Sequence, residues 1–343
     1  MKKFRILFMI IFIYAMLGMK WENVLLPGFY YTVEGKGEKR SEKQVAEVED
    51  ALTGNMILAL QAKDEERLSE DLEESALAGS THAVARTELS MEKLQNFEYL
   101  LSTYYTVDST TTIGPEQLNA EEMLSKNMKL QNAQEGPKIL IFHTHSQEAF
   151  ADSVSGDPST SIVGMGSYLA QRLNEKGIST LHHDGVYDLV DGKLDRSKAY
   201  ELSEIGVKEI LNQYPSIEVV IDLHRDGVKE NTHLVTNVNG KSVAKLMYFN
   251  GLSRTKANGD ISYLYNPYIQ DNLAFSFQMQ LATEELYPGL ARRIYLKGYR
   301  YSLHMMPKSL LIEAGAQTNT VEEMRNSMDL LAEILNKVLV GES

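Results

Sequence analysis

The sequence predicts an α/β fold with a twisted, mostly parallel sheet and helices on both faces. Three observations carry that expectation. From Lys138 onward, short apolar runs alternate with longer segments of helical periodicity, as in a sheet covered by helices. The runs at 139–142 and 219–223 are almost continuously apolar, as strands buried on both faces must be. Polar residues able to do chemistry follow three of the runs directly, at the strand ends where open α/β sheets bind ligands.

The elements follow in order. A break at Gly136-Pro137 precedes the first strand, 139–142. Tyr168, Leu169 and Leu173 at helical spacing predict a helix over 165–176, with Gly177 as its stop, before a second strand at 178–181. A helix over 197–212, with Ile205, Val207, Ile210 and Leu211 on its apolar side, leads to the third strand, 219–223. A fourth strand spans 244–250. A helix over 274–286 precedes the fifth strand, 309–312, and a long helix over 321–340 closes the domain. Parallel neighbours in such a sheet are joined by right-handed crossovers.

Ahead of this domain, assigned to residues 136–343, two further regions are expected. Lys2, Lys3 and Arg5 precede an uncharged apolar run over 6–19, and Lys20 follows it. That reads as a signal anchor over 1–21, with its basic end in the cytoplasm and the bulk of the chain outside. The expected location is the cell membrane, single-pass, with the catalytic domain extracytoplasmic. Residues 22–135 read as an acidic, largely helical spacer, dominated by Asp64-Glu65-Glu66 and Asp71-Leu72-Glu73-Glu74 and ending in a helix over 118–132. The chain of 343 residues carries a net charge of −13 and no cysteine. The acidity argues against nucleic-acid partners, whose phosphates need a basic face. The lack of cysteine excludes disulfides and thiolate chemistry, so any metal site must use His, Asp and Glu.

The chemistry gathers at three strand ends. The first strand runs into His143, His145 and Glu148, the third into His224, Arg225 and Asp226, and the fifth into Glu313. His145, Glu148 and His224 together make a nitrogen-and-carboxylate set for Zn²⁺ with one position left open. Glu313, beside such a site, suits a general base. Arg225 suits a substrate carboxylate or a tetrahedral oxyanion. His143 lies two residues before His145, so either can be the ligand. The spacing to Glu148 favours His145 and leaves His143 behind the ligands or facing substrate. His182, His183 and His304 are substitutes. The His224-Arg225-Asp226 triplet with Asn231 matches a kinase catalytic loop, but no Asp-Phe-Gly follows and no glycine-rich loop precedes. The reaction class is metal-assisted amide hydrolysis. A zinc carboxypeptidase with Arg225 as carboxylate anchor and a membrane-tethered, non-catalytic wall-binding scaffold are the alternatives.

His143-Thr-His-Ser-Gln-Glu148 after a strand, Ile221-Asp-Leu-His-Arg-Asp226, and Leu310-Leu-Ile-Glu-Ala-Gly315 with Thr318-Asn319-Thr320 occur in that order. Together they resemble the stage II sporulation protein P family, membrane-anchored peptidoglycan hydrolases of endospore-forming bacteria. The resemblance covers about 138–340. It implies a fold similar to cell-wall amidases, a zinc-dependent N-acetylmuramoyl-L-alanine amidase acting on peptidoglycan, and a part in forespore engulfment. It also implies endopeptidase activity on peptide cross-links and partnership with the stage II sporulation proteins D and M. The family's metal and catalytic positions fall on the His143/His145 motif, His224 and Glu313. In the wider amidase group the glutamate ligand lies farther from the first histidine than Glu148 does here.

Overall fold

The computed structural model describes residues 90–131 and 136–341. The expected anchor over 1–21 and the spacer up to residue 89 lie outside the described residues. Among those described, no helix is long and apolar enough to cross a membrane.

Seven strands form one sheet: β1 (Tyr105–Val107), β2 (Ile139–Phe142), β3 (Thr180–His182), β4 (Val219–Asp226), β5 (Leu246–Gly251), β6 (Ile294–Lys297) and β7 (Ser309–Ala316). Their spatial order is β1-β6-β5-β7-β4-β2-β3. Five of the six pairings are parallel, and β5 with β7 is antiparallel. The expectation of a mostly parallel sheet is met, with one reversal that the sequence pattern did not reveal. The reversal matters for position: β2, β4 and β7 end at one edge of the sheet, while β5 and β6 end at the other.

Side chains alternate across the pleat, and the sheet sorts them cleanly. Ile139, Ile141, Val219, Ile221, Leu223, Leu310 and Ile312 face the larger core. There they meet α3 (Ile162–Glu175), α5 (Ile269–Leu286) and α6 (Val321–Leu339). Leu140, Phe142 and Val220 face the opposite side, against Val207 of α4 (Ala199–Gln213). Helices therefore cover both faces, which is why the strand runs lack polar alternation.

Two strands escape the sequence pattern. β6 is only four residues between Arg293 and Gly298, too short to show a period. β1 lies in the region expected to be spacer. The expected boundary at 136 falls inside the folded unit: α1 (Phe97–Tyr104), β1 and α2 (Ala120–Ser125) pack on the sheet as an arm. Tyr104 and Tyr105 meet Phe277 of α5 at ring centroids of 5.6 and 6.2 Å. Gln278 donates to the carbonyls of Met123 and Lys126 at 2.8 and 2.9 Å, and Lys126 reaches Asp271 at 2.6 Å. The helix expected over 118–132 is the shorter α2, started by Asn119, whose side chain accepts from the Glu122 N–H. The expected fourth strand is β5, preceded by a separate hairpin, Val235–Val238 with Lys241–Ala244.

The Thr318-Asn319-Thr320 motif builds the entry to α6. Thr320 and Glu323 form a capping box. Asn319 accepts from the Ala316 N–H and donates to the Leu234 carbonyl and to Glu323. Gly315 is left-handed, with φ +58, and a Cβ there would lie 2.7 Å from the Met324 sulfur, so the turn from β7 into α6 requires glycine.

Two predictions follow from this packing. Leu100 of the arm is fully buried, so Leu100→Ala should lower the unfolding free energy by about 2–5 kcal/mol in urea titration. A loss under about 0.5 kcal/mol would mean that the arm stands apart. Burial opposes the charge on Glu323, but bonds from the Thr320 N–H, His233, Asn319 and Ser242 outweigh it and hold its pKa at about 2. A depressed carboxylate stabilises above its unfolded pKa of roughly 4.3. That contribution should fade as pH falls toward 2, and Glu323→Gln should flatten this part of the stability–pH curve.

Candidate metal centre and active site

The site begins where β2 stops. After Phe142 the chain turns, and two buried aspartates hold the turn. Asp222 accepts from the Thr144 N–H at 2.9 Å and from its hydroxyl at 2.7 Å. Asp188 accepts from the Ser146 hydroxyl at 2.7 Å and the Gln147 N–H at 3.1 Å. The turn carries His145 and Glu148 toward the end of β4, where Asp222 and His224 share the α4 side of the sheet, two residues apart on one strand. The register places Glu313 of β7 directly beside His224.

His145, Glu148 and His224 are all buried, and each offers one ligand atom within 4.8 Å of the others. The Nδ1 atoms of His145 and His224 lie 3.6 and 3.7 Å from Glu148 Oε1. Glu148 Oε2 accepts from the Arg225 N–H at 2.8 Å. Arg196 approaches Oε1 at 3.5 Å. His224 Nε2 lies 2.7 Å from Asp222 Oδ1. That bond puts a proton on Nε2 and turns Nδ1 toward Glu148, the nitrogen through which His224 would ligate a metal. Two imidazoles and a carboxylate suit zinc, and three protein ligands leave a position open. The donor set fits the metal.

A metal bound at His224 Nδ1 would have to displace a proton, because the neighbouring anions favour the doubly protonated ring. Burial disfavours the charged imidazolium of His224, but Asp222 and Glu148 outweigh it and raise its pKa well above the ordinary histidine value. Burial likewise works against the Glu148 carboxylate, and the bonds from His145 and His224 with the charge of Arg225 pull its pKa well below the usual range. Glu148 is thus an anion at neutral pH, as a ligand must be.

A small cavity of about 90 Å³ opens over these groups, and Glu313, Arg196, Arg225, Tyr200 and Tyr301 line it. Glu313 therefore stands where the sequence puts it. Arg225 is at the cavity too, but its guanidinium donates to the carbonyls of Ala149 and Asp226 at 3.0 and 3.1 Å. His143 is elsewhere and does not line the cavity. Its Nδ1 meets the Leu223 carbonyl at 2.7 Å and its Nε2 meets His182 at 3.0 Å. The extended geometry that would point His143 and His145 to one side ends with β2. Gly166 of α3 makes room for the His143 ring, since a Cβ there would come within 2.4 Å of Nε2. His183 pairs with Tyr187, and His304 with Glu204. The sequence reading missed Asp222, Arg196, Tyr200 and Tyr301. Only Asp222 left a signal: a carboxylate inside an apolar strand, two residues before a candidate ligand.

The sequence profile of the stage II sporulation protein P family matches residues 28–336. The stage II sporulation protein P of Bacillus subtilis (strain 168) is 22% identical over 246 residues, 65% of this chain and 58% of that protein. The chain thus matches a little over half the length of that relative. Among solved structures, the CwlD amidase of Clostridioides difficile in complex with the GerS lipoprotein is similar with a TM-score of 0.36 and 15% identity, over 60% of this chain and 95% of that one. The catalytic domain of CwlV, an N-acetylmuramoyl-L-alanine amidase from Bacillus (Paenibacillus) polymyxa, gives a TM-score of 0.33 and 13% identity, over 60% and 99%.

If Asp222 orients His224, Asp222→Asn should weaken zinc binding by about 10–100-fold in competition with a chromophoric chelator. His224→Ala should remove a ligand and weaken it further.

Proposed function

The chain belongs to the stage II sporulation protein P family, and from that membership we propose that it is a zinc-dependent peptidoglycan hydrolase, an N-acetylmuramoyl-L-alanine amidase acting in forespore engulfment. The observation that carries the reading is the convergence of His145, Glu148 and His224 in one buried cluster, with Glu313 in the wall of the same cavity. His145, Glu148 and His224 would hold the zinc. When bound, zinc supplies a Lewis acid that lowers the pKa of water and polarises a scissile carbonyl.

The chain's own residues do the rest. Asp222 keeps the proton of His224 on Nε2. The Arg225 N–H fixes one oxygen of Glu148 and leaves the other toward the two imidazoles. Glu313 is the general base: its carboxylate takes a proton from the attacking water and delivers it to the leaving nitrogen of the amide. Tyr200 and Tyr301 wall the cavity and limit bulk water at the reacting atoms. The scissile bond would be the amide between the muramoyl lactyl group and L-alanine. Cross-link endopeptidase activity is part of the same proposal. So are an N-terminal anchor, an extracytoplasmic catalytic domain, and the stage II sporulation proteins D and M as partners. A carboxypeptidase reading is less favoured, because two nitrogens of the Arg225 guanidinium are engaged by backbone carbonyls.

Glu313→Gln separates catalysis from metal binding. It should retain zinc near one equivalent and lower turnover of purified peptidoglycan by about 10²–10⁴-fold. Stem peptides with a free L-alanine amine, read by mass spectrometry, would report the amidase. Full activity in Glu313→Gln would remove Glu313 from the chemistry, and products lacking that amine would overturn the bond assignment.

A further inference from the structure

Two arginines line the metal cavity, and they are committed differently. Arg225 gives Nε and one Nη to the carbonyls of Ala149 and Asp226 at 3.0 and 3.1 Å. Among the described residues the Arg196 guanidinium makes one hydrogen bond, from an Nη to Glu148 Oε1 at 3.5 Å. That is longer than the roughly 2.7–3.2 Å of a well-formed N–H···O bond. Its Nε is buried without a hydrogen-bond partner. A guanidinium carries five N–H donors, so most of those on Arg196 are uncommitted. Glu148 does not depend on this contact: its Oε2 accepts from the Arg225 N–H and its Oε1 faces the two histidine rings.

The backbone of Arg196 is fixed from both sides. It lies between the hairpin of Leu189–Val190 with Lys193–Leu194 and the start of α4. The Asp195 N–H donates to the Asp188 carbonyl at 2.9 Å, and the Ala199 N–H donates to the Arg196 carbonyl at 3.2 Å. The carboxylate of the same Asp188 holds the turn that carries His145 and Glu148. Arg196 and two candidate ligands thus share one anchor, which sets the base of the side chain in place before substrate arrives.

Size and charge narrow what can meet the guanidinium. The cavity is about 90 Å³, far below the roughly 300–1,000 Å³ of a pocket that encloses a whole ligand. It takes the reacting amide rather than a residue farther along the stem peptide, so an anion beside Arg196 is one formed at the reacting carbon. Attack of water on the scissile carbonyl carbon makes a C–O bond and moves the carbonyl electron pair onto its oxygen. Glu148 and Glu313 line the same cavity, and carboxylates oppose new negative charge nearby. A fixed donor aimed at that charge lowers the barrier.

We propose that Arg196 is a catalytic residue that donates to the tetrahedral oxyanion of the scissile amide, a role for which Arg225 was the candidate in the sequence. The inference rests on the amidase reading. Collapse of the oxyanion re-forms the carbonyl and breaks the C–N bond, Glu313 delivers the proton to the leaving nitrogen, and Arg196 is left unchanged. In the ground state the carbonyl is neutral, so Arg196 acts on the transition state more than on substrate binding.

The test compares the zinc-loaded full chain with its Arg196→Ala and Arg196→Lys variants. Turnover is measured on solubilised peptidoglycan strands, and binding of two probes by calorimetry. One probe is N-acetylmuramoyl-L-alanyl-D-isoglutamine, on chains that also carry Glu313→Gln so that it is not consumed. The other is its phosphinate analogue, with a tetrahedral anion in place of the scissile amide. Arg196→Ala should lower kcat by about 10²–10³-fold and leave KM within about threefold. The phosphinate should lose a similar factor in affinity, and the muramoyl peptide should bind as before. Arg196→Lys, which keeps the charge without the fork, should recover part of the loss. Zinc should stay near one equivalent throughout by chelator competition. Equal weakening of peptide and phosphinate would make Arg196 a ground-state anchor, loss of zinc would make it a support for Glu148, and an unchanged kcat would remove it from the chemistry; each overturns the proposal. A wild-type chain that releases no stem peptides with a free L-alanine amine overturns the amidase reading and this role with it. A wild type that releases them beside an equally active Arg196→Ala overturns this role alone.

Discussion

The buried carboxylate of Asp222 is the constraint from which the centre is built. It sits within a strand that is otherwise apolar, and burial raises the cost of its charge. Four hydrogen bonds offset that cost: from the Thr144 N–H, the Thr144 hydroxyl, the Ser302 hydroxyl and His224 Nε2. These partners come from three separate stretches of chain. One anion therefore fixes the turn after β2, the segment before β7 and the tautomer of His224 together. A buried charge left without such partners would shift its pKa and neutralise, so the network holds together as a unit.

The strands of the sheet end at two opposite edges. At the edge where β2, β4 and β7 end, short polar segments emerge from buried strands and gather histidine and carboxylate side chains. The single antiparallel pairing of β5 with β7 sends the end of β5 to the opposite edge. The arm of α1, β1 and α2 closes the second edge and extends the core across Phe277.

Much of this was legible in the chain. Continuous apolar runs at 139–142 and 219–223 report burial on both faces, and both are central strands. His145, Glu148, His224 and Glu313 were visible because each follows such a strand, and parallel neighbours end at one edge. The His143 side chain was less legible, because its direction depends on where β2 stops and the turn begins. β1 and β6 are three and four residues long, too short for a period to show. The acidic tone of the region before Gly136 concealed that Leu94, Leu100, Tyr104, Tyr105 and Met123 are core residues: charged residues dominate composition, while burial depends on the few apolar ones that face the sheet.

By itself the sequence determined the α/β class, the order of the main elements and the residue types able to hold zinc, since local periodicity and strand-end chemistry are properties of neighbouring residues. Only the tertiary structure decided the strand order, the reversal at β5 and the pairing of Asp222 with His224. Each depends on contacts between residues far apart in the chain, and nothing local records which distant segment a strand or a buried carboxylate will meet.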